Sequence, residues 1–178
     1  MRLFIAARPS QAAVAVIDRL ERLEAPGVRW LPADQWHVTL RFLGETDPDA
    51  AVTAMGGLVA APVEAVVGPS TRLLGGTVLV VPVAGLDRLA AAVVAATAGV
   101  GEPPEDRRFV GHLTLCRFRD EPPPGAVGAA VSTAFPVDEV VLVRSRTLPG
   151  GAVHDVLERF PLTGSAGGRV ERGAGRRA

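Results

Sequence analysis

The chain has 178 residues, 48% of them hydrophobic, and its 19 Arg residues balance 19 acidic residues to give no net charge. Zero net charge argues against a protein that coats nucleic acid by charge alone, because such binding depends on many phosphate-neutralising cations. The absence of Lys excludes a lysyl-adenylate ligase or a P-loop lysine, and the single Cys116 excludes an internal disulfide or a cysteine-based zinc cluster.

Hydrophobic patterning predicts alternating groups of strands and single helices along the chain. The first half should hold a strand over 3–7, a helix over 10–23 capped by Ser10, a strand over 28–31, a strand over 36–43 and a helix over 49–60. The second half should hold strands over 63–67, 71–74 and 77–83, a helix over 86–98, and strands over 111–118, 135–144 and 153–160. This order predicts an α+β fold with mostly antiparallel sheets.

The ends of the sequence carry two further expectations. The first apolar stretch is too short for a signal peptide, and no window approaches the roughly 20 apolar residues of a membrane helix, so we expect a cytoplasmic protein without a membrane partner. Residues 163–178 are rich in Gly and Arg, which predicts a disordered tail after one domain over 1–162.

Two strand segments repeat one another. His37 and Thr39 recur 75 residues later as His112 and Thr114, each pair followed by Leu. Because side chains alternate along a strand, each His points from the same face as its Thr. Two copies of one pattern suggest two related lobes that face each other across a cleft.

This repeat is suited to chemistry at a phosphodiester. Imidazole titrates near pH 6.5, so one ring can accept a proton from water while the other donates one to the departing oxygen. The Thr39 and Thr114 hydroxyls can donate hydrogen bonds to phosphate oxygens. Neither His37 nor His112 has the spacing of a zinc site, so we expect no metal and no cofactor.

Neighbouring residues are further candidates. Strict alternation gives Arg41 the parity of His37 and places Arg117 opposite His112, so that only a twist or bulge would bring Arg117 to the site. Trp36 should pack in the core. Trp30 and Phe42 could stack on a base, although core packing is favoured for both.

Taken together, these segments resemble the 2H phosphoesterase superfamily, and within it the RNA 2′,3′-cyclic phosphodiesterase branch, also called the 2′-5′ RNA ligase family. The resemblance rests on the residues at 2–6, 28–30, 37–44, 104–109, 112–115, 145–150 and 160–162. It implies a LigT-like fold in which two similar α+β lobes, with mostly antiparallel sheets and flanking helices, surround a central cleft.

The resemblance also implies a reaction and its residues. His37 would donate a proton to the leaving ribose oxygen, His112 would accept a proton from water, and Thr39 and Thr114 would hold the phosphate, with Arg41 and Arg117 as additional ligands. The substrates would be RNA ends or nucleotides with a 2′,3′-cyclic phosphate, the product a 2′-phosphomonoester, and the protein a monomer. The reverse reaction would join RNA ends by a 2′-5′ linkage without ATP.

Two alternatives are open at this point. One is a non-catalytic module that binds nucleotides or RNA ends, and the other is a 2H phosphodiesterase that acts on a small cyclic nucleotide. The pair of histidines favours catalysis, because binding alone does not require both. The length of the resemblance favours the RNA branch. His154 lies where relatives often carry Tyr, which leaves it an aromatic role at the rim of the cleft or an exposed position.

Overall fold

The computed structural model describes residues 1–148 and 151–164, which form two antiparallel sheets and three α-helices. The strands are β1 (Arg2–Ala7), β2 (Arg29–Trp30), β3 (Val38–Glu45), β4 (Val63–Val67), β5 (Arg72–Leu74), β6 (Val78–Ala84), β7 (His112–Arg117), β8 (Thr133–Val137), β9 (Glu139–Leu148) and β10 (Gly151–Pro161). The helices are α1 (Gln11–Ile17), α2 (Pro48–Met55) and α3 (Asp87–Ala96). The α+β prediction with mostly antiparallel sheets is confirmed.

The first sheet has the strand order β10-β9-β1-β3 and two different faces. On one face Leu3, Ile5 and Leu142 join the main hydrophobic core. On the other face Phe4 and its neighbours form a separate apolar cluster, which consists of Phe4, Ala6, Val141 and Val143 with Val156 packed against it. Alternation along β1 therefore supplies both the core and an apolar floor for the opposite side.

The second sheet has the order β2-β7-β6-β4-β8, and β5 pairs with β6. It is interleaved with the first sheet rather than following it along the chain. β2 comes from the first half of the sequence but pairs with β7, and β9 and β10 return from the C-terminal half to pair with each other, with β9 also pairing with β1. The two sheets therefore do not correspond to the two halves of the sequence.

The prediction of one strand over 135–144 is wrong. The segment contains β8, which pairs with β4, and β9, which pairs with β1, and Asp138 separates them. The Asp138 carbonyl accepts the Leu162 amide at 2.7 Å, which holds the end of the last strand at the crossing. Pro136, Asp138 and Glu139 interrupt the apolar run here, a local sign of a break that the prediction of one strand did not use.

Two predicted helices end early. α1 is capped as expected, with Ser10 Oγ accepting the Ala13 amide, but it ends at Ile17 rather than near Leu23. The carbonyl of Leu23 instead accepts the Trp30 indole N–H at 3.1 Å, which holds this segment to β2. α2 ends at Met55 rather than at residue 60, because Gly56 and Gly57 follow and glycine is a poor helix former.

None of the helices in the described ranges is both long enough and apolar enough to span a membrane. At the C-terminal end, Gly164 donates its amide to the Ala60 carbonyl at 2.8 Å. From residue 165 onward the predicted tail lies outside the described residues.

Candidate active site

Both His-x-Thr strands contain a β-bulge at the same position. In β3, Ala6 faces Thr39 and the next pair joins Ile5 to Arg41, so Leu40 is an extra residue. In β7, Val80 faces Thr114 and the next pair joins Leu79 to Cys116, so Leu115 is extra. A bulge reverses the parity of the residues that follow it. The side chains directly after each Leu therefore point to the face opposite to the one that strict alternation predicts, and in β3 a second register shift at Leu43 limits this change to Arg41 and Phe42.

In β7 the bulge brings Arg117 to the face of His112 and Thr114. These three residues face Val78, Pro82 and Val80 of β6, which share one side of that strand. Arg117 is exposed there, whereas Cys116 points into the core and is fully buried. Burial raises the pKa of the Cys116 thiol to about 11, which is consistent with a packing role.

In β3 the bulge reverses the faces on which Arg41 and Phe42 lie, so the predicted parity of both residues is wrong. Phe42 faces Phe4, with ring centroids 6.0 Å apart, and is 51% exposed on the side of His37. Arg41 faces Ile5 on the core side and is only 6% exposed. Position 42 in the first motif therefore corresponds to position 117 in the second.

Arg41 holds backbone rather than facing the cleft. Its guanidinium donates to the carbonyl of Phe42 at 2.7 Å and to the carbonyl of Glu102 at 2.6 Å. The Glu102 amide in turn donates to the Leu43 carbonyl at 2.8 Å. Burial lowers the pKa of Arg41. The prediction that Arg41 contacts the ligand gives way to a structural role, which joins β3 to the loop after α3.

The two motif histidines are held in the same orientation. Nδ1 of His37 lies 2.7 Å from the carbonyl of Gln35, and Nδ1 of His112 lies 2.7 Å from the carbonyl of Val110. A carbonyl can only accept, so each Nδ1 carries the proton. In the neutral ring this leaves Nε2 as the acceptor.

The motif strands lie against each other although they belong to different sheets. β3 and β7 are in contact, His37 directly precedes β3, and His112 is the first residue of β7. Thr39 and Thr114 are half-buried on the faces of their histidines. The structure thus places His37, Thr39, His112 and Thr114 on two motif strands in contact, with Arg117 on the face of His112, and leaves out Arg41.

An aromatic cluster surrounds His37. The Phe4 and His154 rings lie 4.9 Å and 4.8 Å from the His37 ring, measured between centroids, and Phe4 is 5.1 Å from His154. The backbone N–H of His154 donates to Gln35 Oε1 at 2.8 Å. Gln35 therefore orients His37 through its carbonyl and fixes β10 through its side chain. Neither Phe4, in a continuous apolar run, nor Gln35 carries a sequence signal of this role.

Burial dominates the electrostatics of the cluster. It lowers the pKa of His37 to about 4, and the charges of His154, Arg8 and His112 act in the same direction, while the hydrogen bond to Gln35 opposes them. Burial also lowers the pKa of His154, aided by Arg117 and Arg29. In the ligand-free protein, His37 is therefore neutral at pH 7.

The remaining sequence candidates have structural places. Trp36 is 1% exposed, which confirms core packing. Trp30 is half-buried and packs against the core. Across residues 1–148 and 151–164, no three His, Cys, Asp or Glu side chains are grouped so that they could hold a metal ion.

The fold and the paired strands define a class of protein. A model described as the 2′-5′ RNA ligase superfamily matches residues 9–148, and the chain belongs to this superfamily. The RNA 2′,3′-cyclic phosphodiesterase of Thermus thermophilus is 32% identical to this chain, over 99% of this chain and 98% of that protein.

Solved structures agree with this family. The crystal structure of TT0787 from T. thermophilus is similar with a TM-score of 0.78 and 29% identity, covering 93% of this chain and 100% of that one. The structure of E. coli LigT complexed with 3′-AMP is similar with a TM-score of 0.72 and 25% identity, covering 91% of this chain and 98% of that one.

Proposed function

We propose that this protein hydrolyses the 2′,3′-cyclic phosphate ends of RNA to 2′-phosphomonoesters, with His37 and His112 as an acid–base pair and without a metal or cofactor. The observation that carries the proposal is the pair of histidines on equivalent bulged strands, each with Nδ1 held by a carbonyl two residues earlier. The family and the named relative support the class of reaction: the protein is a cyclic phosphodiesterase.

In the proposed mechanism, His112 Nε2 accepts a proton from water as the water oxygen attacks phosphorus. The bond between phosphorus and the ribose 3′ oxygen breaks, and His37 Nε2 donates a proton to that oxygen. The product keeps its phosphate on the 2′ oxygen. The two rings exchange protonation states in each turnover, and loss of the His112 proton to solvent and gain of one by His37 restore the starting state.

His37 must be protonated to act as the donor, although burial keeps it neutral at pH 7 in the ligand-free protein. The cyclic phosphate carries a negative charge, and an opposite charge nearby favours the charged imidazole. The bound phosphate therefore supplies a negative charge near His37, which the apolar Phe4 ring beside it cannot provide. In this proposal His37 takes up its proton when the substrate binds, because the phosphate raises the pKa of the ring.

The phosphate is held by groups that share the face of the histidines. Thr39 and Thr114 donate hydrogen bonds from their hydroxyls, and Arg117 offers a planar guanidinium that matches phosphate oxygens. Phe42, exposed on the same side as His37, offers a ring on which the terminal base stacks.

In the ligation direction, the 5′ hydroxyl of a second RNA takes the place of water and attacks phosphorus, which gives a 2′-5′ linkage without ATP.

The test is hydrolysis of a nucleotide or RNA that ends in a 2′,3′-cyclic phosphate, with EDTA present. We expect a 2′-phosphomonoester from the wild-type protein and a loss of about 100-fold or more in His37→Ala and in His112→Ala. Thermal unfolding of each variant checks that the fold is retained. Full activity in either His variant refutes the acid–base pair, and abolition of wild-type activity by EDTA refutes metal independence.

The assignment of acid and base has its own test. A substrate analogue in which sulfur replaces the 3′ bridging oxygen has a leaving group that needs little protonation, because a thiol ionises far more readily than an alcohol. If His37 is the acid, His37→Ala loses much less activity on this analogue than on the oxygen substrate, whereas His112→Ala loses equally on both. The opposite pattern assigns the acid to His112.

A further inference from the structure

A cavity lies at the end of β7 that carries Arg117. Its volume is about 560 Å³, and it is bounded by β2, the end of β7 and the start of β10. We call it the arginine pocket, because Arg29, Arg117 and Arg119 line it together with Gly27 and Gly151. Only Arg117 belongs to the phosphate-binding group described above.

The arginine pocket places like charges close together. Arg29 and Arg117 are directly opposite each other on antiparallel strands, a placement in which like charges destabilise a sheet. Within residues 1–148 and 151–164, none of the three arginines forms an ion pair with a carboxylate. A bound anion in the arginine pocket would relieve this repulsion.

A glycine makes room for the Arg29 guanidinium. A methyl group at Gly151 would overlap the Arg29 guanidinium, so this group lies directly over the backbone of β10. The Arg29 guanidinium is therefore packed against the backbone of β10, whereas Arg117 and Arg119 are exposed.

The arginine pocket adjoins the active site through His154. The ring of His154 lies 4.8 Å from the ring of His37, and the charges of Arg117 and Arg29 both act on His154. Arg117 connects the two sites directly, because it shares the face of His112 and lines the pocket. An RNA end whose cyclic phosphate lies between the histidines can thus extend its preceding nucleotide toward Arg29 and Arg119.

We propose that the arginine pocket binds the phosphodiester that joins the terminal nucleotide to the rest of the RNA. The inference rests on the proposed function and adds to it a subsite for the nucleotide that precedes the RNA end. Guanidinium groups suit this ligand, since their planar donors match phosphate oxygens in pairs. A cyclic mononucleotide has no such phosphodiester and leaves Arg29 and Arg119 unused.

The experiment compares adenosine 2′,3′-cyclic phosphate with the dinucleotide ApA that ends in a 2′,3′-cyclic phosphate. We expect wild-type kcat/KM to be about tenfold or more higher for the dinucleotide. The double variant Arg29→Gln/Arg119→Gln should lose this preference and keep its activity on the mononucleotide. For the dinucleotide, the slope of log(1/KM) against log salt concentration should become shallower by about 0.7 in this variant.

Two variants control for charge and folding. Arg88→Gln removes one positive charge from an exposed position on α3 and should retain the dinucleotide preference. Arg29→Lys/Arg119→Lys keeps the charge and should retain part of it. Equal wild-type kcat/KM for the two substrates, or an unchanged preference in the double Gln variant, overturns the inference while leaving the proposed function intact.

Binding decides the matter if neither substrate is hydrolysed, an outcome that refutes the proposed function. Calorimetric titration then compares the 2′-phosphorylated dinucleotide with adenosine 2′-phosphate. Tighter binding of the dinucleotide that disappears in Arg29→Gln/Arg119→Gln supports the arginine pocket. Equal binding of the two nucleotides overturns it.

Discussion

A backbone carbonyl two residues before each histidine decides which ring nitrogen can react. The contacts from Gln35 to His37 and from Val110 to His112 are both 2.7 Å, and each places the proton on Nδ1. Gln35 adds a second contact, because its side chain accepts the backbone N–H of His154. The orientation of His37 and the position of β10 are therefore coupled through one residue.

Arg41 and Arg117 should separate stability from activity. Arg41→Ala removes two charge-assisted hydrogen bonds to backbone carbonyls, and we expect the free energy of unfolding to fall by about 3 kcal/mol. Arg117 is exposed, so Arg117→Ala should change stability by less than about 0.5 kcal/mol. It should nevertheless lower kcat/KM about tenfold or more, because it removes a guanidinium from the proposed phosphate site.

Urea unfolding and steady-state kinetics of both variants test this pair. The prediction fails if Arg41→Ala is as stable as wild type, or if Arg117→Ala is fully active on a cyclic phosphate. Arg41→Lys is a useful intermediate, since a Lys keeps the charge but cannot reproduce the planar fork that reaches both carbonyls.

At the scale of the strand, one inserted residue decides which side chains reach the cleft. Leu40 and Leu115 are the extra residues of the two bulges, and the positions that follow change faces as a result. Matching the Arg-Phe pair that follows each motif therefore gives the wrong alignment. Arg41 corresponds structurally to Cys116, and Phe42 corresponds to Arg117. The residue pattern cannot reveal this, because both leucines are buried in the structure and strict alternation also predicts that they are buried.

Thiol reactivity reports the bulge in β7. Cys116 is fully buried with its pKa raised to about 11, so we expect no reaction with a disulfide reagent at pH 8 until the protein is unfolded. The thiol introduced by Arg117→Cys should react rapidly in the folded protein. Strict alternation without a bulge predicts the reverse, and rapid reaction of Cys116 in the native wild type would contradict the register.

At the scale of the molecule, interleaving ties the two sheets together. β9 and β10 close the first sheet after the chain has built the second, while α1 packs on β8 and α3 packs on β3. Each sheet therefore depends on segments that are distant in sequence. We infer that protonation of a buried group in one sheet changes the free energy of unfolding of the whole domain.

Stability should fall as the pH is lowered from 7 to 5. His37 has a pKa of about 4 in the folded protein and an ordinary value near 6.5 in the unfolded chain, so only the unfolded chain gains this proton between those values. The folded state therefore loses about 2 kcal/mol relative to the unfolded state between pH 7 and pH 5. His154, whose pKa is also lowered, acts in the same direction.

Urea titrations at the two pH values measure this loss, and His37→Gln supplies the control, because Gln does not titrate. We expect the variant to lose less stability than the wild type over the same interval. Identical losses in the two proteins would show that His37 is not the group responsible.

The sequence alone determined the α+β class, most of the strands, the pairing of each His with its Thr, and the family to which the two motifs point. These features depend on local alternation, capping and residue identity, which neighbouring residues fix. Only the tertiary structure decided that Arg117 and Phe42 face the cleft while Arg41 does not. It also decided that the chain changes sheet at Asp138, and that Arg29 lies opposite Arg117 on the neighbouring strand. The register of a bulge, the sheet to which a strand belongs and the neighbours across strands depend on partners far away in the chain, which a local pattern does not identify.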